Sequence, residues 1–102
     1  MAPPIVGDMG LYDWDRRKAR RNAWKNGVTF PEAETVLLHP DRLEMFDEIH
    51  SEYEPRTITI GWSSLGRLLV VITSEGGRRR PRIISAWRAT KRERNAYVRR
   101  QR

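Results

Sequence analysis

Five consecutive aliphatic residues, Leu68 to Ile72, stand between Gly66 and the pair Gly76-Gly77. Strand side chains alternate between two faces, so a strand that is apolar in both registers has to be covered on both sides. The run is far too short to cross a bilayer. It predicts a central strand, Arg67–Thr73, whose neighbours must come from the flanking segments. Arg56–Trp62 alternates strictly, with Ile58, Ile60 and Trp62 on one face against Thr57 and Thr59 on the other, the pattern of a half-buried strand. Pro81 suits the first position of a third strand, Arg82–Trp87, where a missing N–H removes no central ladder bond. Turns at Ser63 to Gly66 and at Gly76-Gly77 join the three into an antiparallel meander. By period two, Arg82 and Arg88 are expected on the same side as Ile84 and Ala86.

Ahead of the meander the apolar spacing becomes helical. Asp15 caps a helix reaching about Lys25, with Ala19 and Ala23 on its inner face, Arg16, Arg17, Arg20 and Arg21 on its outer face, and Gly27 past its end, where a left-handed residue is favoured. Thr29 and Glu32 have capping-box spacing, with Pro31 in the first turn, for a second helix ending near Leu38 at His39-Pro40, as those residue types favour. Thr90 and Glu93 repeat the spacing before a C-terminal helix, Lys91–Arg100, in which Val98 is expected to help cover the sheet. Leu11–Trp14 reads as a short strand or lead-in after a flexible Met1–Gly10. The expected fold is α+β: an antiparallel sheet of three to four strands packed against two N-terminal helices, with a C-terminal helix and the second sheet face open. A chain of 102 residues suits a single domain, 1–102.

Charge narrows the partners. The net charge is +7, and Lys18, Lys25 and Lys91 are the only lysines among 20 basic residues. Guanidinium offers a planar fork of donors to phosphate and stacks on bases, so this bias favours a polyanion. Residues 78–102 carry +10, whereas residues 32–54 carry −7, a separation that steers a charged partner. The chain has no cysteine and only two histidines, His39 and His50. Disulfides and thiolate metal sites are excluded, and no metal or other cofactor is expected. No signal peptide or membrane span is visible, and a cytoplasmic protein is expected.

An exposed sheet surface with arginines on phosphates and aromatic rings under bases is a way to hold single-stranded RNA. Arg67 is the leading candidate because it enters the central strand; Arg82 and Arg88 flank the third. Cleavage of RNA can use its own 2′-hydroxyl as nucleophile, leaving the protein to supply a base, an acid and cations. His50, followed by Ser51, Glu54 and Arg56, is a cluster able to orient an imidazole and hold a phosphate. His39 reads as an ordinary helix-end residue.

Taken in order, several blocks resemble the BrnT toxin family, which groups with RelE-like ribonuclease toxins: Tyr12-Asp13-Trp14-Asp15, Lys18-Ala19, Asn22, Lys25, Gly27 to Phe30, Glu32-Ala33, His50-Ser51, Glu54, Arg56, Ile60-Gly61, Ser63, Gly66 to Val71, Arg82 to Ala86, Ala89-Thr90, Glu93 and Tyr97. The resemblance implies a RelE-like fold and an endoribonuclease that cuts RNA without metal and inhibits translation and growth. It implies neutralisation by a BrnA-type antitoxin in a dimer of heterodimers, with operator DNA reached only through that antitoxin. The catalytic set it suggests is His50, Glu54, Arg56, Arg67, Arg88 and Tyr97, with Lys18, Lys25, Arg82 and Trp87 binding RNA. The chain departs from the family pattern twice: Lys25-Asn26-Gly27 replaces Lys-His-Gly, and Ser85-Ala86-Trp87 replaces Ser-Ala-Arg. Loss of a cation at position 87 suggests attenuated cutting; the alternative is a module that binds nucleic acid or antitoxin without cutting and acts as co-repressor. A DNA-binding regulator acting alone is disfavoured, because no helix-turn-helix pattern is visible.

Overall fold

The computed structural model describes residues 11–48, 54–75 and 79–101. The aliphatic run becomes the strand Leu68–Ser74, buried at every position. In chain order the elements are α1 (Arg16–Asn26), α2 (Phe30–Leu37), β1 (Leu43–Phe46), β2 (Arg56–Trp62), β3 (Leu68–Ser74), β4 (Arg82–Arg88) and α3 (Lys91–Arg100). The four strands form one antiparallel sheet ordered β1-β2-β3-β4. The expected meander is therefore present as β2-β3-β4. A strand not expected, β1, extends it on the β2 side. Leu11–Trp14 contributes only a single parallel bridge, Asp13 to Arg82, in which Asp13 N–H donates to Pro81 O and Ile83 N–H donates to Asp13 O.

Both faces of β3 are covered, as its composition requires. On one face Leu69 and Val71 join Val28, Phe30, Ala33, Val36, Leu37, Ile83 and Ala86 in a core roofed by α1 and α2. On the other, Leu68, Val70 and Ile72 pack with Ile60 and Tyr97, so α3 crosses the face expected to be open. Tyr97 is the α3 side chain buried against the sheet, at 4% exposure; Val98, expected in that role, is 46% exposed. Gly61 lets α2 approach β2 closely, because a Cβ there would meet Val36 Cγ1 and Arg42 Cβ at 3.2 Å.

The helix ends follow local chemistry. The Asp15 carboxylate accepts from the N–H groups of Arg17 and Lys18, and Gly27 closes α1 at φ 69°, a conformation that costs glycine little. Thr90 and Glu93 form a complete capping box on α3. At α2 only half the box forms: Thr29 accepts from Glu32 N–H, while the Glu32 carboxylate turns elsewhere.

A bulge changes the phase of β4. Ile72 pairs with Ser85 and Thr73 with Ile83, leaving Ile84 as the extra residue. Consequently Ile83 and Ala86, three positions apart, both enter the α1/α2 core. Arg88 aligns with Leu69 on that face, whereas Arg82 aligns with Ser74 on the other. The period-two expectation that the two arginines share a side is thus overturned, because one inserted residue reverses the alternation.

Candidate nucleic-acid interface

The carboxylate of Glu32 is the hub of the first cluster. It accepts from Arg67 Nε at 3.0 Å and from Ser63 Oγ at 2.7 Å, and Arg67 Nη2 also reaches it. Nη2 donates in addition to Gly27 O at 2.9 Å. Ser63 Oγ in turn accepts from the N–H groups of Leu65 and Arg67. One ion pair therefore fastens the start of α2, the end of α1 and the β2–β3 turn together. The Arg67 guanidinium holds Glu32 below the usual carboxylate range against the opposing effect of burial, with Ser63 and the nearby Arg88 adding to it. Arg67 is raised by the same bond. Arg67 and Arg88 thus lie at one corner with Glu32 between them electrostatically, and Arg67 is engaged by partners within the fold.

Beside that corner, α1 meets the outer edge of β4. Asn22 is buried, and its amide acts as a substitute strand: Oδ1 accepts from Ala86 N–H at 3.1 Å while Nδ2 donates to Ala86 O and to Val28 O, both at 2.9 Å. Asn26 Nδ2 adds a 3.0 Å bond to Ala86 O and a 3.1 Å bond to Asn22 Oδ1. Above this seam Lys18, Arg21, Asn22, Lys25 and Asn26 from α1 face Ile84 and Ser85 from β4 around a depression of about 220 Å³. Lys18 and Lys25, both sequence candidates for binding RNA, line this depression. Arg21, Asn22 and Ser85 join them; a polar residue on the inner face of α1 between Ala19 and Ala23 was the available signal for Asn22. Three cations around a polar recess can receive a phosphate and hold the negative charge that grows on it during transfer.

Ile84 and Ser85 also line the second concavity, a cleft of about 700 Å³ between the sheet and α3. Its floor is aliphatic, with Ile58, Ile60, Val70, Ile72 and Ile84, and its rim carries Arg56, Arg92 and Arg99. The cations stand around this cleft and do not make the basic groove expected across the sheet. Trp87 lines it too, its indole N–H donating to both Glu93 oxygens at 3.2 and 3.4 Å. The same carboxylate accepts from Thr90 N–H at 2.8 Å. Across α3, Arg94 stacks over Trp62 with its guanidinium carbon 5.6 Å from the ring centroid.

Of the other sequence candidates, Tyr97, Arg82 and Glu54 line neither concavity. Tyr97 is buried and donates its hydroxyl to Asp41 O at 3.1 Å; burial, with Asp41 adding, raises its phenol above the usual range. Arg82 stands at the far end of β4, with Nε buried and without a hydrogen-bond partner among the described residues. Glu54 is half-buried just before β2. His50 lies outside the described residues. Among the described residues no group of three or more histidine and acidic side chains could hold a metal ion, and no helix is long and apolar enough to cross a membrane.

This architecture is similar to that of the Brucella abortus ribonuclease toxin BrnT in its crystal structure, with a TM-score of 0.61 over 79% of this chain and 99% of that one. At 21% sequence identity the likeness is one of fold. No curated protein is similar enough in sequence to match. Residues 14–93 match the family described as ribonuclease toxin, BrnT, of type II toxin-antitoxin system. That span takes in both helices that roof the sheet, all four strands and the capping box of α3, and by it the chain belongs to the BrnT family of ribonuclease toxins, whose systems pair each toxin with an antitoxin.

Proposed function

We propose that the chain is an endoribonuclease in which the α1–β4 depression binds the scissile phosphate, and that cutting proceeds without metal through attack of the RNA 2′-hydroxyl. The observation that carries this is the meeting of Lys18, Arg21, Lys25 and Asn26 with Ser85 across some sixty residues of sequence. Three cations at one recess stabilise a pentacoordinate phosphate as it gains charge, a contribution commonly worth several kcal/mol per group. The strand continues past Ser85 toward Arg56 and Trp87 at the cleft. His50 and Glu54 remain the nominees for proton transfer, with Arg67 and Arg88 as cations at the neighbouring corner; Tyr97, its hydroxyl buried on the Asp41 carbonyl, instead holds α3 in place. A BrnA-type antitoxin then neutralises the toxin by covering this surface, and the pair reaches operator DNA through the antitoxin, as two heterodimers.

Both departures from the family pattern converge on this same seam: Asn26 bonds Ala86 O, and Trp87 is the next residue. The histidine and arginine of the family are replaced by neutral side chains whose N–H groups are used within the fold. This favours attenuated cutting, and in the limit a second reading, a toxin-like module that binds RNA or antitoxin without cutting. Incubating the purified protein with RNA in excess chelator separates them. Products ending in 2′,3′-cyclic phosphate are expected, with Trp87→Arg raising the rate between about tenfold and a thousandfold. RNA recovered whole from both proteins would sink the enzymatic reading, and cutting that stops in chelator would sink the metal-free one.

A further inference from the structure

Trp24 is 87% exposed, the most exposed of the large apolar side chains among the described residues. An indole left in water on a helix that has a buried face is a poor use of the residue unless something covers it. Helical spacing puts Arg20 and Arg21 one turn away on the same outer face and Arg17 two turns away. All three are exposed, and among the described residues none of them forms an ion pair with a carboxylate. Arg21 also lines the α1–β4 depression with Lys18 and Lys25. A band of guanidinium groups with one indole in it therefore runs over the outside of α1 and down into the recess.

We infer that this face of α1 is a platform for single-stranded RNA, with Trp24 stacked beneath one base and Arg17, Arg20 and Arg21 on the phosphates beside it. The inference rests on the RNA-cutting reading above for its ligand class, and it adds a contact outside the recess that feeds the strand toward it. Every base offers a π-face and every linkage a charge, so an isolated ring among cations suits a polynucleotide. A protein partner needs a cluster of apolar side chains, and the outer face of α1 has none besides Trp24.

The test is binding of a fluorescent 2′-O-methyl oligouridylate, which cannot be cut at its blocked 2′ position, compared with inorganic polyphosphate, which has charge and no bases. Trp24→Ala is expected to weaken the oligonucleotide about tenfold, the effect of losing one stacked base. Trp24→Phe is expected to keep most of the affinity, and polyphosphate binding is expected to change by less than about twofold. Arg17→Ala and Arg21→Ala should each flatten the dependence of log affinity on log salt by about 0.7. Equal oligonucleotide affinity for Trp24→Ala and the unmodified chain would overturn the platform, as would equal losses on both polyanions. So would a variant that binds the oligonucleotide normally but loses its co-expressed antitoxin. Because the probe is not cleaved, normal stacking beside whole RNA in the cutting assay would retain the platform and remove only the nuclease.

Discussion

Asn22 shows how much one side chain can settle. An edge strand offers unpaired N–H and C=O groups that must find partners, and the Asn22 amide supplies both partners to Ala86 from a helix. Replacing it with alanine leaves the buried Ala86 N–H without its acceptor, so Asn22→Ala is expected to cost about 2–3 kcal/mol in chemical denaturation. Asn22→Asp, which brings a charge and loses the donors to Val28 and Ala86, is expected to cost at least as much. Glu32 governs behaviour in acid. Its carboxyl titrates lower in the fold than in the unfolded chain, so its contribution is complete above about pH 5 and drains away as pH falls through the folded value. Glu32→Gln should therefore unfold more readily at neutral pH, and its stability should fall less steeply between about pH 5 and pH 2. A variant with the same acid limb as the unmodified chain would refute the assignment.

Among the elements, α3 is held by few points: its capping box, Tyr97 and Gln101 on the Asp41 carbonyl, Arg94 over Trp62, and Glu93 on Trp87. Thr90→Ala removes the cap and is expected to cost about 1 kcal/mol. Hydrogen exchange should show the loss in α3 first, with the amides of β3 unaffected; uniform acceleration would mean that α3 and the sheet open together. The elements legible in the sequence were those whose cause is local or periodic. Asp15, Gly27, Thr29 and Thr90 mark helix ends by their own chemistry, and the run Leu68 to Ile72 declares a central strand by lacking polar positions. β1 was not legible, because Leu43, Glu44, Met45 and Phe46 have no pattern of their own, and the strand exists through pairing with residues 57–60. Nor was the bulge, since no glycine or other punctuation marks Ile84. At the candidate site, Lys18 and Lys25 were legible as cations on α1. That Glu32 would abandon its local capping partner for Arg67, 35 residues away, was not, because a capping box and a tertiary ion pair call for the same residue.

On the scale of the whole molecule, the two borders of the sheet are treated differently. The β4 side is capped at two points, by the Asp13 bridge at its start and by the two asparagines at Ala86. The β1 side has no further strand against it among the described residues, and Met45 and Phe46 are both exposed there. Among the described residues, lateral growth of the sheet by a foreign strand is thus opposed at one border and unopposed at the other. Should concentrated protein coalesce as the antitoxin is withdrawn, the fibre must begin at Met45 and Phe46. Met45→Lys should then keep it in solution, as light scattering would record, because a cation at an open border discourages a second chain from docking alongside.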